Sequence, residues 1–196
     1  MSGPGDGDLF GTPAQHHSLF FALLPDAATV GALRDARQAL EAALPPQRGA
    51  GVADARLHLT LHWLGEWSQL PEATVDAARA AAARVRGPGF ALRLDTADCF
   101  GGGEAVWVLR CTAPPPALLA LHRALAAALA RQRIRLPAGP AFVPHVTLRR
   151  RASVRFPARA VPPVEWAVAD FALVHSLRGP AAAEYHELGR WRLQAA

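Results

Sequence analysis

Two short segments of this sequence pair a proton-carrying side chain with a hydroxyl. They are His58-Leu59-Thr60-Leu61 and His145-Val146-Thr147-Leu148. In an extended strand alternate side chains share a face. His58 and Thr60 then point one way while Leu59 and Leu61 point the other, and the second segment repeats the pattern. Each segment offers an imidazole and a hydroxyl on a rigid element with an apolar back. Imidazole titrates near neutrality, so one neutral His can take a proton from an attacking water or hydroxyl. The other, protonated, can give one to the departing oxygen. Threonine hydroxyls can donate to nonbridging oxygens, where charge builds in the transition state. The set suits phosphate-ester chemistry without a metal or other cofactor. Zinc fits less well, because two histidines are too few ligands and no third donor stands at a recognisable spacing.

The elements that must position these residues repeat as well. His58 and His145 lie 87 residues apart, as do Thr60 and Thr147. At the same offset a strand starts near 18 and again near 105. The run 18–24 reads as a buried strand, ended by Pro25 and Asp26. A helix follows, with Val30, Leu33, Leu40 and Leu44 as its stripe and Pro45-Pro46 as its stop. A loop leads to a strand over 57–65, then a helix over 71–86. Residues 90–100 and 104–112 read as a hairpin around the glycines at 101–103. Pro114 to Pro116 starts a third helix, with Leu118, Leu121, Leu125 and Leu129 on one side. A Pro/Gly-rich loop leads to the second histidine strand, and 164–178 and 184–193 read as two more strands. Residues 1–17, rich in Gly, Pro and Asp, read as a mobile tail that includes His16 and His17, leaving 18–196 as one domain. The order implies an α+β chain of two similar lobes, each presenting one His-x-Thr strand.

Composition narrows the partners. The chain has 196 residues, 51% hydrophobic and 19% charged, which excludes a disordered chain. No apolar run reaches the roughly 18 residues of a membrane span, and no signal peptide is readable, so no membrane partner is expected and the default compartment is the cytoplasm. All 21 basic residues are Arg, Asn is absent, and Ile134 is the one isoleucine, a bias that GC-rich codons explain. The net charge of +5 still favours polyanions such as RNA or phosphate esters. Pairing Phe100 with Ala105 across the hairpin sets Cys99 and Cys111 too far apart to bridge, so both read as reduced.

The segments RLHLTLHWLGE (56–66) and FVPHVTLRR (142–150) resemble the two signature segments of the two-histidine phosphoesterases. The closest likeness is to the LigT-like RNA 2′,3′-cyclic phosphodiesterases, also described as 2′–5′ RNA ligases. SLFFALLPD (18–26) resembles that family's first strand, and residues 173–193 resemble its C-terminal Ser…Tyr hairpin. The resemblance implies a bilobal pseudo-two-fold fold, with two antiparallel-rich sheets flanking a positively charged cleft and helices outside. It implies hydrolysis of RNA 2′,3′-cyclic phosphate ends to 2′-phosphates, with a reversible ligase activity also within its range; separately from the resemblance, a monomer is expected. By the same resemblance His58 is the proton donor, His145 the acceptor, and Thr60 and Thr147 bind substrate.

Several points stay open in the sequence. Alignment favours Arg150 as the phosphate-binding residue, whereas strand alternation puts Arg149 on the face of His145 and Thr147. Alternation also sets His62 beside Thr60. Trp63 or Phe21 could stack on a base. His122 and His175 read as structural, and His186 as either structural or functional. The substrate could instead be a 2′–5′ oligonucleotide or a small cyclic phosphate such as that of ADP-ribose, or the fold could serve as a non-catalytic RNA-binding module.

Overall fold

The structure, a computed structural model, describes residues 16–178 and 183–194. Its elements run β1 (His16–Leu23), α1 (Ala27–Ala42), a 3₁₀ turn (Asp54–Arg56), β2 (Leu59–Trp67), α2 (Glu72–Ala82), β3 (Phe90–Phe100) and β4 (Ala105–Arg110). They continue with α3 (Pro116–Arg131), β5 (His145–Ala152), β6 (Arg159–Val168), β7 (Asp170–Arg178) and β8 (Ala183–Arg192). No described helix is long and apolar enough to cross a membrane.

The strands form one antiparallel order, β6-β3-β4-β5-β2-β1-β7-β8. It divides naturally into two four-stranded halves, because β2 and β5 meet through one register pair, Leu59 with Val146. The α+β, two-lobed expectation is met, with the two sheets joined at that seam. β1 and β4 are the strands flanking β2 and β5, as the 87-residue repeat requires. The helices pack crosswise: α1, which follows β1, lies against β5 and β6, while α3, which follows β4, lies against β2 and α2. Each lobe therefore covers its neighbour's sheet, and one continuous core results, from Leu33 and Leu40 through Leu59, Trp107 and Leu125 to Val146.

Local chemistry explains the helix ends. Asp26 caps α1, its carboxylate accepting from the Thr29 backbone N–H at 2.8 Å. Pro116 opens α3 at a position where no N–H is needed. Residues 83–86, expected to continue α2, leave the helix in a turn that still buries Val85.

Four expectations need correction. His16 and His17 belong to β1 and not to a tail; residues 1–15 lie outside the described residues. The segment 164–178 is two strands split at Ala169, and β6 begins earlier, at Arg159. That split carries the chain from one end of the strand order to near the other, and the Leu193 N–H donates to the Ala169 carbonyl at 2.8 Å where the ends meet. Pro162 and Pro163 are tolerated in β6 because it is an edge strand. In the hairpin Phe100 pairs with Val106, one residue beyond the expected Ala105. Cys99 then faces Trp107, and both cysteines are free.

Candidate active site

The seam between the halves brings His58 and His145 together. Leu59 and Val146, the residues that follow them, are the β2–β5 pair and are fully buried. Their burial anchors each strand and turns the flanking His and Thr side chains to the opposite face. Both histidines and both threonines are half-buried there.

The two imidazoles are held in the same way. His58 Nδ1 lies 2.7 Å from the Arg56 carbonyl, and His145 Nδ1 lies 2.7 Å from the Val143 carbonyl. A carbonyl can only accept, so each Nδ1 carries the proton and each Nε2 is the nitrogen left for chemistry. Different local devices set the two carbonyls. The 3₁₀ turn Asp54–Arg56 presents the first, closed by the Leu57 N–H on the Asp54 carbonyl. Pro144 holds Val143 extended to present the second. Aromatic rings wall both: Phe20 lies 4.9 Å from the His58 ring and Phe100 4.9 Å from that of His145. Tyr185, the chain's one tyrosine, stands edge-on to His58 at 5.5 Å.

Burial is the main influence on both imidazoles. It pushes His58 down to about 4, against the bond to Arg56, with the charges of Arg150 and His145 adding to the depression. His145 is lowered for the same reasons, burial first and Arg150 last. Tyr185 is raised by burial, offset by Arg150, Arg56 and Arg178. A cavity of about 530 Å³ joins His58, Thr147, Arg150, Tyr185 and Arg56 to the loop at 49–52. An apolar cavity of about 550 Å³ between α1 and β6 contains neither imidazole, so its size marks no chemistry.

A β-bulge decides the two arginines. Thr147 pairs with Val108 and Arg149 with Trp107, so β5 takes two steps while β4 takes one. The extra residue reverses the alternation. Arg149 turns to the helix side, where its guanidinium lies 2.7 Å from Glu41 of α1, donates to the Gly49 carbonyl at 2.7 Å and covers the Trp107 ring. Arg150 turns into the cleft. Strict alternation, which favoured Arg149, does not hold past Leu148.

The same bulge occurs in β2. Thr60 pairs with Ala22 and His62 with Phe21, again two steps against one. His62 is therefore not beside Thr60. It is buried, its Nε2 donates to the His122 carbonyl at 2.8 Å, and it stacks on His122, which stacks on Phe142. Phe21 is fully buried in the core and cannot reach a base, whereas Trp63 is turned outward. His175 lies buried between His17 and His186. Among the described residues no group of three or more His, Cys, Asp or Glu could hold a metal ion.

Sequence reasoning missed Arg56, Phe20 and Tyr185 as parts of the cleft. Tyr185 carried a signal, as the one tyrosine within a recognisable hairpin; Arg56, whose backbone carbonyl does the positioning, carried none.

The geometry has counterparts in known proteins. The RNA 2′,3′-cyclic phosphodiesterase of Escherichia coli is 38% identical over 153 residues, 76% of this chain and 82% of that protein. The RNA 2′,3′-cyclic phosphodiesterase of Thermus thermophilus is 34% identical over 188 residues, 90% of each chain. The crystal structure of E. coli LigT in apo form superposes with a TM-score of 0.69 at 32% identity, covering 92% of this chain and 99% of that one; LigT has also been solved with 3′-AMP. A model of the 2′-5′ RNA ligase superfamily matches residues 24–180. With most of its length matched, and with its duplicated His-x-Thr strands meeting at one seam, this chain belongs to the 2′-5′ RNA ligase superfamily.

Proposed function

We propose that this protein is an RNA 2′,3′-cyclic phosphodiesterase in which His145 is the general base and His58 the general acid. The reading rests on the matched pair of Nδ1–carbonyl bonds, which leaves both Nε2 atoms available at one cleft. Water attacks phosphorus as His145 Nε2 removes its proton. The bond from phosphorus to O3′ breaks, and His58 Nε2 gives its proton to O3′. The products are a 2′-phosphate and a free 3′-hydroxyl. With a ribose 5′-hydroxyl in place of water as the attacking group, the same pair would join RNA ends through a 2′–5′ bond, and the reverse of that step would cleave it. Thr60 and Thr147 donate to the nonbridging oxygens, and Arg150 supplies the planar cation for the charge that builds on them. The substrate is an RNA 3′ end or a small nucleotide cyclic phosphate, and the protein acts as a cytoplasmic monomer.

Turnover of adenosine 2′,3′-cyclic phosphate tests this directly. His58→Ala and His145→Ala should each lose at least about 10² in rate, and the double variant should be far less than multiplicatively worse. Activity should survive EDTA. Near-wild-type turnover in the double variant, or loss in chelator restored by zinc or manganese, overturns the mechanism.

A further inference from the structure

The 87-residue offset that relates His58 to His145 also relates His62 to Arg149. Each follows the leucine at its bulge, Leu61 in β2 and Leu148 in β5, and each is turned to the helix side. Arg149 reaches into the other lobe, where it holds Glu41 of α1 and the Gly49 carbonyl, in the loop that leads to His58. His62 has the equivalent place toward α3. Its Nε2 donates to the His122 carbonyl at 2.8 Å, and its ring lies 4.0 Å from the His122 ring. His122 in turn lies 3.9 Å from Phe142, with 14° between the ring planes. Phe142 stands in the loop that leads to His145. Each bulge thus grips the approach to the other lobe's histidine, one by a guanidinium and the other through a stack of three rings.

The loop before His145 has little else to fix it. Residues 134–144 form no helix or strand, and among the described residues no backbone–backbone hydrogen bond is made by 135–143. The next backbone anchor is Pro144, whose carbonyl accepts from the Cys111 N–H at 3.2 Å. Val143, between that anchor and Phe142, is 40% exposed, so its own side chain holds it weakly. Yet the Val143 carbonyl is the group that accepts from His145 Nδ1 at 2.7 Å. Its direction is set from one side by Pro144 and from the other by the Phe142 ring. The carbonyl that serves His58 needs no such stack, because the 3₁₀ turn closes there. Burial lowers both stacked imidazoles, His122 to about 4 with the His62 charge adding to the depression. At neutral pH they are therefore uncharged rings that stack without mutual repulsion.

We propose that His122, sandwiched between His62 and Phe142, is a positioning residue for the general base, because it fixes Phe142 and thereby the Val143 carbonyl that keeps the proton of His145 on Nδ1. This rests on the reading of His145 as the base. With Phe142 loosened, the carbonyl turns away and the imidazole proton is free to occupy Nε2. That tautomer has no lone pair at Nε2 with which to take a proton from water. The role requires the flat face of the His122 ring and not its nitrogens.

In His122→Ala, kcat for adenosine 2′,3′-cyclic phosphate should fall about 10- to 100-fold, the scale of a reacting group displaced by about 1 Å, while KM changes less. Two-bond proton–nitrogen correlation spectra read the tautomer of each cleft imidazole without turnover, at a pH where both are neutral. In the wild type both should carry the proton on Nδ1. In His122→Ala, His145 should show Nε2–H as well, while His58 should not change. His122→Phe, which keeps a ring face, should restore both the rate and the Nδ1–H of His145. A His145 that stays Nδ1–H in His122→Ala overturns the proposal whatever the rate. So does a change of tautomer at both His58 and His145, which marks general loosening, or a His122→Phe variant no better than His122→Ala. Should the wild type not turn over the cyclic phosphate, the phosphodiesterase reading fails and the tautomer comparison alone decides the role of His122.

Discussion

The protonation of His58 offers a demanding test of the mechanism. Burial, then the Arg150 and His145 charges, push this imidazole from 6.5 down to about 4. At pH 7 only about one molecule in a thousand would carry the proton that the general acid must give. The substrate supplies the remedy. A negative charge about 4 Å from the imidazole is worth about 4 kcal/mol at an effective dielectric of about 20. That is about three tenfold steps in protonation, enough to restore His58 to about 7. In the proposed mechanism the phosphate recruits its own acid and neutralises the Arg150 charge that opposes protonation. NMR titration of the His58 ring should give a midpoint near 4 in the empty protein and near 7 with saturating 3′-AMP. The acid must be protonated, so activity falls as pH rises through its pKa. The falling limb of kcat/KM, which reports the free enzyme, should therefore lie at lower pH than that of kcat. A midpoint near 6.5 that 3′-AMP does not move refutes this reasoning. Stability follows from the same shift. The folded-state pKa is below the unfolded value, so between about pH 4 and 6.5 the unfolded chain binds more protons. Unfolding free energy should then fall as pH drops through that window, by up to about 3 kcal/mol from His58. His145, also lowered, adds in the same direction.

Further outcomes follow from the bulges and the loop that packs on one of them. Arg150→Ala should lower kcat by about 10² with little change in melting temperature, because it removes charge stabilisation at the reacting phosphate. Arg149→Ala should instead cost about 1–3 kcal/mol in stability, since it leaves Glu41 and the Gly49 carbonyl without their donor; kinetics and thermal melts of both variants would expose the reverse pattern. Gly49 has φ of +78°, and a Cβ there would lie 2.5 Å from the Arg150 carbonyl oxygen and 2.8 Å from that of Arg151. Gly49→Ala should therefore lose at least about 1–2 kcal/mol in urea denaturation and lower kcat by displacing Arg150.

Much of this molecule was legible in the chain because the relevant physics is local. Alternation of Leu59 and Val146 with polar neighbours exposes the His-x-Thr faces within a few residues. Asp26, Pro116 and the leucines of α3 mark helices through capping and period alone. The 87-residue offset then announced two lobes, and with them two histidines in one cleft. What remained undecided was always a matter of one strand against another. Arg149 or Arg150, and the side on which His62 lies, depend on bulges at Leu148 and Leu61, and a bulge exists only relative to the partner strand. Phe100 met Val106 and not Ala105 because the turn and the neighbouring strand set register together. The place of Tyr185 against His58 needs β8, β7, β1 and β2 in their final order, a relation between residues 127 positions apart. Depression of the histidine pKa values likewise requires the burial that only the assembled sheet and its aromatic walls provide. Residue type and local period determined which groups could do the chemistry; cross-strand pairing and burial decided where they point and which of them hold a proton.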